Sequence, residues 1–570
     1  MTPANQDVNR NARWARLIAE ELARAGVSHV VLCPGSRNSP LLFALAAQFG
    51  KHALSHVDER SAGFIALGLI RATATAVAVC VTSGSALANL LPAVCEADAA
   101  ELPLIVISAD RPWEAHHSSA PQTMPQRGIF HNFIRSEIAL GEPTDDDRSL
   151  RALRVQVSRL AQIVNGPTHL NVPLRDPLPP LPDPTWQPPA LSLEAEFGRE
   201  SAYVVQHHAA QAKALTAQPW LRPGLRGLIV AGSLSDQRLL SAIVAFAAAT
   251  GFPVLADAAS HLRHPDMAHL IITADGLLSG SLNLEQPELI IQIGPAPLTR
   301  VVYEWLDGQR CPWISFASER NYDALHRAWL AIAGGWDDAL KQLATWLAPG
   351  DASWRARWVA ADAAARRMLA EATPHLGWSE SLALRTAVNH PGFGFVHLAS
   401  SMAIRHANLH LLPSPRPIHA NRGVNGIDGT LGTFLGECHG HQQPGVLLIG
   451  DLAFLHDLPA LASAALATAG GAIVVLDNGG GGIFDYLPVA QVPGFATWVR
   501  TSHNLDFTAA GSLFGLPCHN CQDLPQLHAA LSSAATTARL HLIICQLRAG
   551  DAVTQHRSLI KAITGLDDNA

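Results

Sequence analysis

Asp451 and Asn478 are the residues from which a chemistry can first be read. Asp451 directly follows the apolar run 446–450 (VLLIG), and Asn478 comes two positions after the run 472–476 (AIVVL), ahead of four glycines at 479–482. A carboxylate, an amide carbonyl and bare backbone carbonyls are hard oxygen donors. Such a set suits Mg²⁺, which shares its octahedron with phosphate oxygens and water. Glycines with no side chain in the way let a diphosphate approach the backbone closely. Runs of this length and β-branched content read as buried parallel strands, and the Ala/Leu-rich span between them as a crossover helix. Asp451 and Asn478 would then stand side by side at the carboxyl edge of one sheet, the edge where open α/β sheets bind ligands. Gly-Asp alone is equally a tight turn with a capping aspartate; the Asp and Asn at the ends of two strands, 27 residues apart, are the specific feature.

The elements that must position these residues follow one rhythm. From 30 to 111 a strand (VVLC), a turn (PGSRNSP), a helix, a strand (AVAVCVTSG), a helix from Ser85 and a strand (LPLIVISADRP) succeed one another. Strand, Gly-rich turn and helix in repetition predict a doubly wound parallel sheet. The rhythm restarts at RGLIVAGS and returns through ELIIQIG and PWISFAS; after an Ala/Arg-rich helical connection it resumes in GVLLIGD, AIVVLDN and RLHLIICQL. The expectation is an α/β protein of three doubly wound domains, over 1–180, 190–350 and 375–570. The proline-dense NVPLRDPLPPLPDPTWQPP, 171–189, is expected to be an extended linker, neither helix nor central strand.

Composition narrows the function classes. A chain of 570 residues exceeds one hydrophobic core, and 48% hydrophobic against 15% charged residues describes a globular, Ala- and Leu-rich protein. Forty basic and 47 acidic residues, a formal charge of -7, argue against nucleic acid or an anionic membrane surface as partner. Small molecules and copies of the same chain are the expected partners. The N-terminal stretch lacks the apolar core of a signal peptide and no lipid-spanning run follows, which predicts a cytoplasmic enzyme. Eight scattered cysteines, among them Cys33, Cys80 and Cys545 in apolar runs, read as buried thiols. Cys518 and Cys521 have the spacing of half a zinc site or a redox pair, but no second pair lies near them. His439 and His441 lack a third ligand at sensible spacing and read as core or solvated histidines.

The stretch GDLAFLHDLPAL…VVLDNGGGG resembles the metal–diphosphate motif of thiamine-diphosphate enzymes. By that resemblance Asp451, Asn478 and the backbone carbonyl of Gly480 hold Mg²⁺ or Mn²⁺, with Gly481, Ile483 and Phe484 against the cofactor; Ile483, Phe484 and Leu487 read as a roof over the pocket and equally as helix packing residues. Asp477 is a departure, standing where many members carry a second Asn. The family also needs an acid on the aminopyrimidine ring, where a carboxyl favours the imino tautomer. Glu59, in LSHVDERSAGFIALGLIRAT, matches that glutamate. By itself it is equally the first residue of a helix in an Asp-Glu-Arg charge cluster. In the family this glutamate faces the diphosphate site of another subunit, which implies a homodimer or larger homo-oligomer with pyrimidine-binding, central and diphosphate-binding domains.

Further stretches, CPGSRNSPL, TSGSALANLLPAV, ISADRP, APQTMPQ, GPTHLNVPLRDPL, ANRGVNGIDGTLGT and GGGIFDYLP, resemble one group over almost the whole chain: the 2-succinyl-5-enolpyruvyl-6-hydroxy-3-cyclohexene-1-carboxylate synthases of menaquinone biosynthesis. CPGSR together with NRGxxGIDGT is the specific part. The activity implied is decarboxylation of 2-oxoglutarate and conjugate addition of the resulting succinyl carbanion to isochorismate. Each substrate brings two carboxylates, for which arginine forks are suited. The resemblance places Ser401 and Arg405 on the 2-oxoglutarate-derived adduct, Ser36, Arg37, Arg111 and Gln122 on isochorismate, and Arg422 and Arg300 among the substrate contacts. Pro121 stands where some relatives have Asn, and only Arg300 stands where they have a basic residue or pair. Ile427 matches the bulky residue that props the cofactor in its bent form, and reads equally as core. Another thiamine-diphosphate carboligase, or a non-catalytic phosphate- or nucleotide-binding protein using its Gly-rich turns as anion cradles, remains a rival reading of the same residues.

Overall fold

A computed structural model describes residues 7–187, 215, 218–234, 237–280, 285–317 and 323–564. The β-branched runs form eighteen strands among these residues, in three six-stranded sheets in which every pairing is parallel. By packing, the chain divides into two compact units. One comprises Met1–His208, Asn421–Gln442 and Ala453–Ala469; the other Ala209–Ala420, Gln443–Leu452 and Gly470–Ala570.

The first unit is built on β1 (His29–Leu32), β2 (Ala53–Ser55), β3 (Val77–Val81), β4 (Leu104–Asp110), β5 (Ser136–Ala139) and β6 (Thr168–Pro173), in the order β2-β1-β3-β4-β6-β5. The chain reverses its direction of winding between β1 and β3, which opens a crevice at their carboxyl ends. Val31, Val79 and Val106 bury one face against the helix Glu59–Thr73, while Val30, Ala78 and Ile105 bury the other. That helix meets Thr430–His441 with almost no space between backbones. A Cβ on Gly68 would lie 2.0 Å from the Thr433 carbonyl oxygen, and one on Gly436 2.2 Å from that of Ile65.

The second unit holds two sheets. β7 (Gly227–Ala231), β8 (Val254–Ala256), β9 (Leu270–Ile271), β10 (Leu289–Ile293), β11 (Trp313–Ala317) and β12 (Leu330–Ala333) run in the order β12-β11-β10-β7-β8-β9. β13 (Phe395–Leu398), β14 (Ile418–His419), β15 (Gly445–Gly450), β16 (Gly471–Asp477), β17 (Cys518–Cys521) and β18 (Leu540–Gln546) run β14-β13-β15-β16-β18-β17. Winding reverses in this last sheet between β13 and β15, so Asp451, directly after β15, stands beside the crevice. Buried Arg263 fixes the two sheets' surroundings to each other, donating to the carbonyls of Ala407 and Leu411 at 3.4 and 3.2 Å and to Asn408 Oδ1 at 3.2 Å.

Three expectations are corrected. The span after β15 is not one crossover helix: a short α-helix, Asp451–His456, gives way to 3₁₀ segments over Leu458–Leu466, interrupted at Ser463. Pro459 cannot donate to a continuing helix, and buried Asp457 accepts the Gly432 N–H at 3.1 Å instead. The helix from Ser85 likewise breaks into Ser85–Ala88 and Leu91–Ala99, with Pro92 in the first turn of the second. The proline-dense segment opens inside the sheet, since Asn171, Val172 and Pro173 complete β6 between β4 and β5. Pro173 is the last residue of that strand, and the next ladder bond is supplied by the Leu174 N–H, which donates to the Asp110 carbonyl at 3.0 Å. Residues 174–187 are neither helix nor strand; residues 188–189 and the expected domain start at 190 lie outside the described residues. No described helix is long and apolar enough to cross a membrane. All eight cysteines are free thiols, Cys518 and Cys521 at the two ends of β17. His439 packs edge-on against His29.

Candidate active site

β15 and β16 pair in register from Gly445↔Gly471 to Gly450↔Leu476, so Asp451 and the Asp477–Asn478 pair emerge side by side. Asp451 is buried; its Oδ2 accepts the Gly480 N–H at 2.8 Å and its Oδ1 its neighbour Leu452 N–H at 2.6 Å. Burial raises its carboxyl to about 6 against those two bonds, and the nearby Asp477 charge adds to the rise. Gly479 and Gly480 have φ of 73° and 142°, backbone that a Cβ disfavours. A Cβ on Gly480 would also meet the Arg500 carbonyl oxygen at 2.8 Å. Arg500 frames this turn: its Nη2 donates to the Asn478 carbonyl at 3.0 Å, its Nη1 to that of Gly479 at 2.8 Å, and its own carbonyl accepts the Gly481 N–H at 2.7 Å.

Asn478 Nδ2 points at Glu380 Oε2, 3.4 Å away, while Asn478 Oδ1 is buried with no hydrogen-bond partner. An orphaned carbonyl oxygen beside a carboxylate is costly unless a cation completes it. Burial pushes the Glu380 carboxyl up to about 7. Carboxylate oxygens of Asp451 and Asp477 and a ring nitrogen of His503 lie within 4.8 Å of one another, with His503 Nε2 3.4 Å from Asp451 Oδ2. Phe484, on the 3₁₀ turn Gly482–Tyr486, packs over Gly481; Ile483 beside it is half-buried and Leu487 is exposed.

Across the same crevice, Ser401 and Arg405 follow β13. Ser401 caps the helix Met402–His410 with φ 71° and ψ −134°, a conformation that strains any residue but glycine. Arg405 Nη1 donates to the Ser401 carbonyl at 2.9 Å and makes no ion pair among the described residues. Arg300 is not part of this cluster: it opens the helix Arg300–Asp307 in the other sheet's layer, exposed and paired with Glu304 at 2.6 Å.

The first unit brings a second set together at the carboxyl edge of its sheet. Glu59 begins the helix Glu59–Thr73 directly beyond β2, behind the capping residue Asp58, whose carboxylate accepts the Ser61 N–H at 3.1 Å. Glu59 Oε2 accepts from Asn89 Nδ2 at 3.2 Å. Ser36 is exposed after β1; its neighbour Arg37 is buried and donates to the Leu174 carbonyl at 2.8 Å and Asp176 at 3.3 Å. Arg111 lies near enough to Arg37 for their charges to repel, and donates to the Pro121 carbonyl at 2.7 Å. Gln122, at φ 53°, lies over Gly84 at the end of β3. Arg422 and Ile427 sit in the loop before Thr430–His441; the neighbouring Gly423 and Val424 N–H groups donate to Glu96 at 2.9 and 2.8 Å, and Ile427 is 38% exposed.

Two family models match the chain: the N-terminal TPP binding domain of thiamine pyrophosphate enzymes over residues 12–132, and the middle domain of thiamine pyrophosphate enzymes over 191–391. Curated relatives align over nearly their full length. A 2-succinyl-5-enolpyruvyl-6-hydroxy-3-cyclohexene-1-carboxylate synthase of Myxococcus xanthus is 35% identical over 97% of this chain and 98% of its own. Those of Rubrobacter xylanophilus and Geobacillus kaustophilus are 34% and 32% identical, covering 97% and 96% of this chain and 99% and 96% of their own. The chain belongs to this synthase family.

The residues present fit the cofactor and metal of the family. Asn478 Oδ1 lacks a partner, Asp451 stands beside it, and the Gly479–Gly481 turn leaves bare backbone toward both. A divalent ion such as Mg²⁺ and thiamine diphosphate match that donor set in charge and hardness. Sequence reasoning missed Glu380, Arg500 and His503. Arg500 and His503 lie in a polar loop with no periodicity, and Glu380 reads as an ordinary first-turn helix acid. No local signal marks any of the three.

Proposed function

We propose that this chain catalyses the reaction its relatives are named for, joining a four-carbon unit from 2-oxoglutarate to isochorismate with thiamine diphosphate and Mg²⁺ or Mn²⁺. The observation that carries the reading is the Asp451–Gly480–Asn478 cradle, an anionic site with an unsatisfied buried oxygen at a glycine turn, within a chain aligned end to end with those synthases. Asp451, Asn478 Oδ1 and the Gly480 carbonyl would hold the ion, and the glycine turn, with no side chain in the way, would let the diphosphate approach the backbone closely. When bound, thiamine diphosphate supplies a nucleophilic carbon and an electron sink for loss of CO₂.

The remaining work falls to the protein. Glu59 exchanges a proton with the ring nitrogen of the cofactor, Ile427 sets its bend, and Ile483 and Phe484 exclude water. Arg405, which makes no ion pair among the described residues and feels the charge of Asp275 only at a distance, and the strained Ser401 hold the distal carboxylate of 2-oxoglutarate; Ser36, Arg37, Arg111 and Gln122 hold isochorismate, with Arg422 a further substrate contact. The reading includes a cytoplasmic homo-oligomer, dimer or tetramer, in which Glu59 of one subunit serves the cradle of another, and the domain limits 1–180, 190–350 and 375–570. Arg300, exposed and engaged with Glu304, is the weakest member of the substrate set. The test is CO₂ release from 2-oxoglutarate with and without isochorismate. Product formed only with both substrates, thiamine diphosphate and metal supports the reading; failure to consume 2-oxoglutarate under any of these conditions overturns it.

A further inference from the structure

A cleft of about 480 Å³ opens on the first unit beside Arg111, at the carboxyl ends of β4, β5 and β6, where Asp110, Leu140 and Pro173 stand. Its size suits a small metabolite, and its position is the edge at which parallel sheets take ligands. We propose that it is the remainder of the isochorismate pocket, with Trp113 packed on the ring and Arg127 and His117 on the carboxylate that Arg37 and Arg111 do not hold. This rests on the function proposed above and adds the residues that select the acceptor.

Charge in the cleft is one-sided once internal bonds are counted. Asp110 is already occupied, accepting the Arg111 N–H at 2.7 Å and Asn171 Nδ2 at 2.8 Å, with His116 Nε2 3.5 Å away. Glu142 is engaged by Arg175 at 2.8 and 3.0 Å. The cations are not neutralised in the same way. Arg111 makes no ion pair among the described residues, and its buried Nε has no hydrogen-bond partner. Arg127, also on the cleft lining, is exposed and makes no ion pair among the described residues, interacting by charge with Glu137 at longer range. Guanidinium groups that form no ion pair on a cleft wall suit a carboxylate ligand. Trp113 leaves 78% of its surface in water, an aromatic face open for a flat ring.

The loop between these groups is strained. His117, Ser119 and Gln122 have φ of 59°, 59° and 53°, three left-handed non-glycine residues within six positions. Such backbone persists where the surroundings hold it and concentrates at ligand clamps. The Arg111 bond to the Pro121 carbonyl pins the far end of this loop to the cleft wall.

The test uses the full-length enzyme with Trp113→Ala, Trp113→Phe and Arg127→Ala. Trp113→Ala should raise the KM for isochorismate about fivefold, as expected for a lost ring contact, and Trp113→Phe should restore most of it. Arg127→Ala should raise it about tenfold, as for a lost charged hydrogen bond. The KM for 2-oxoglutarate, and its decarboxylation followed with an artificial electron acceptor, should not change. Isochorismate KM values within twofold of the parent in both alanine variants overturn the proposal, as does an equal rise for both substrates. If those variants are silent while Arg111→Ala still raises the isochorismate KM, the proposed function stands and only this extension fails. If the unaltered enzyme does not decarboxylate 2-oxoglutarate, the function fails, and the extension with it.

Discussion

Asp451 Oδ2 and the Gly480 N–H are joined at 2.8 Å, so the end of one strand and the glycine turn beyond the next are locked together by the protein itself. The cradle is preformed, and a cation arriving there displaces little. Replacing Asp451 by Ala removes both a ligand and this tie. The melting temperature of the parent should rise when thiamine diphosphate and Mg²⁺ are added together, as linkage requires. In Asp451→Ala that rise should vanish, and metal affinity should fall by more than the roughly 10–100-fold typical of outer contacts.

Glu59 begins a helix, and its Oε2 accepts from Asn89 Nδ2 at 3.2 Å, a bond that the amide oxygen of glutamine can keep. Glu59→Gln should therefore bind thiamine diphosphate and Mg²⁺ with nearly parental thermal shift yet lose about 10²–10⁴-fold in turnover. Full activity in this variant would remove the proton-transfer role.

His503 Nδ1 accepts the Leu505 N–H at 3.3 Å, which leaves the ring proton on Nε2, facing Asp451 Oδ2 at 3.4 Å. This Nε2 is buried and makes no hydrogen bond in the structure, so a small rotation that closes it onto Asp451 would orient the carboxylate toward the ion. His503→Ala should weaken Mg²⁺ binding about 10–100-fold, and His503→Gln, which keeps an N–H donor, should recover part of the loss. Metal titration of the cofactor-dependent thermal shift separates the two; equal losses in both would reduce His503 to packing.

Asp457 is a buried carboxyl that burial raises to about 7, against the Gly432 N–H and the charge of Arg60. The folded state thus holds its proton more tightly than the unfolded chain, where the group titrates near 3.8. This contribution to stability is complete below about pH 4, declines as pH climbs to about 7 and is level above that. Buried histidines held below their ordinary value, such as His29 and His410, act in the opposite direction, so the Asp457 contribution is read as a difference: the parent's advantage in melting temperature over Asp457→Asn should be larger at pH 5 than at pH 7.5.

The Glu59–Thr73 helix depends on the absence of a side chain at Gly68, since a Cβ there would come within 2.0 Å of a backbone oxygen that cannot swing aside. Gly68→Ala should cost about 1–3 kcal/mol or more, visible as a lowered melting temperature in the absence of cofactor.

Legibility divided along the range of the interactions. The strands of VLLIG and AIVVL, the turn at 479–482 and the pairing of Asp451 with Asn478 were readable because hydrophobic runs, glycine backbone freedom and parallel crossover are local rules. The broken segment after β15 was not, because Pro459 and the bond from Gly432 to Asp457 outweigh the helix preference of its Ala and Leu residues. Arg300 entered the substrate set by resemblance, and the structure shows it exposed and paired with Glu304 one turn along its own helix.

What the amino-acid order determines by itself is the rhythm of strand and helix, the glycine turn and the types of donor that a metal and a diphosphate need. Only the tertiary structure decided that Glu380, 98 residues away, would meet Asn478, that Arg500 would hold the carbonyls of 478 and 479, and that His503 would face Asp451. Those contacts depend on where distant loops come to rest against one sheet edge, which is fixed by packing and hydrogen-bond completion across the whole unit. No periodicity within a short window records it.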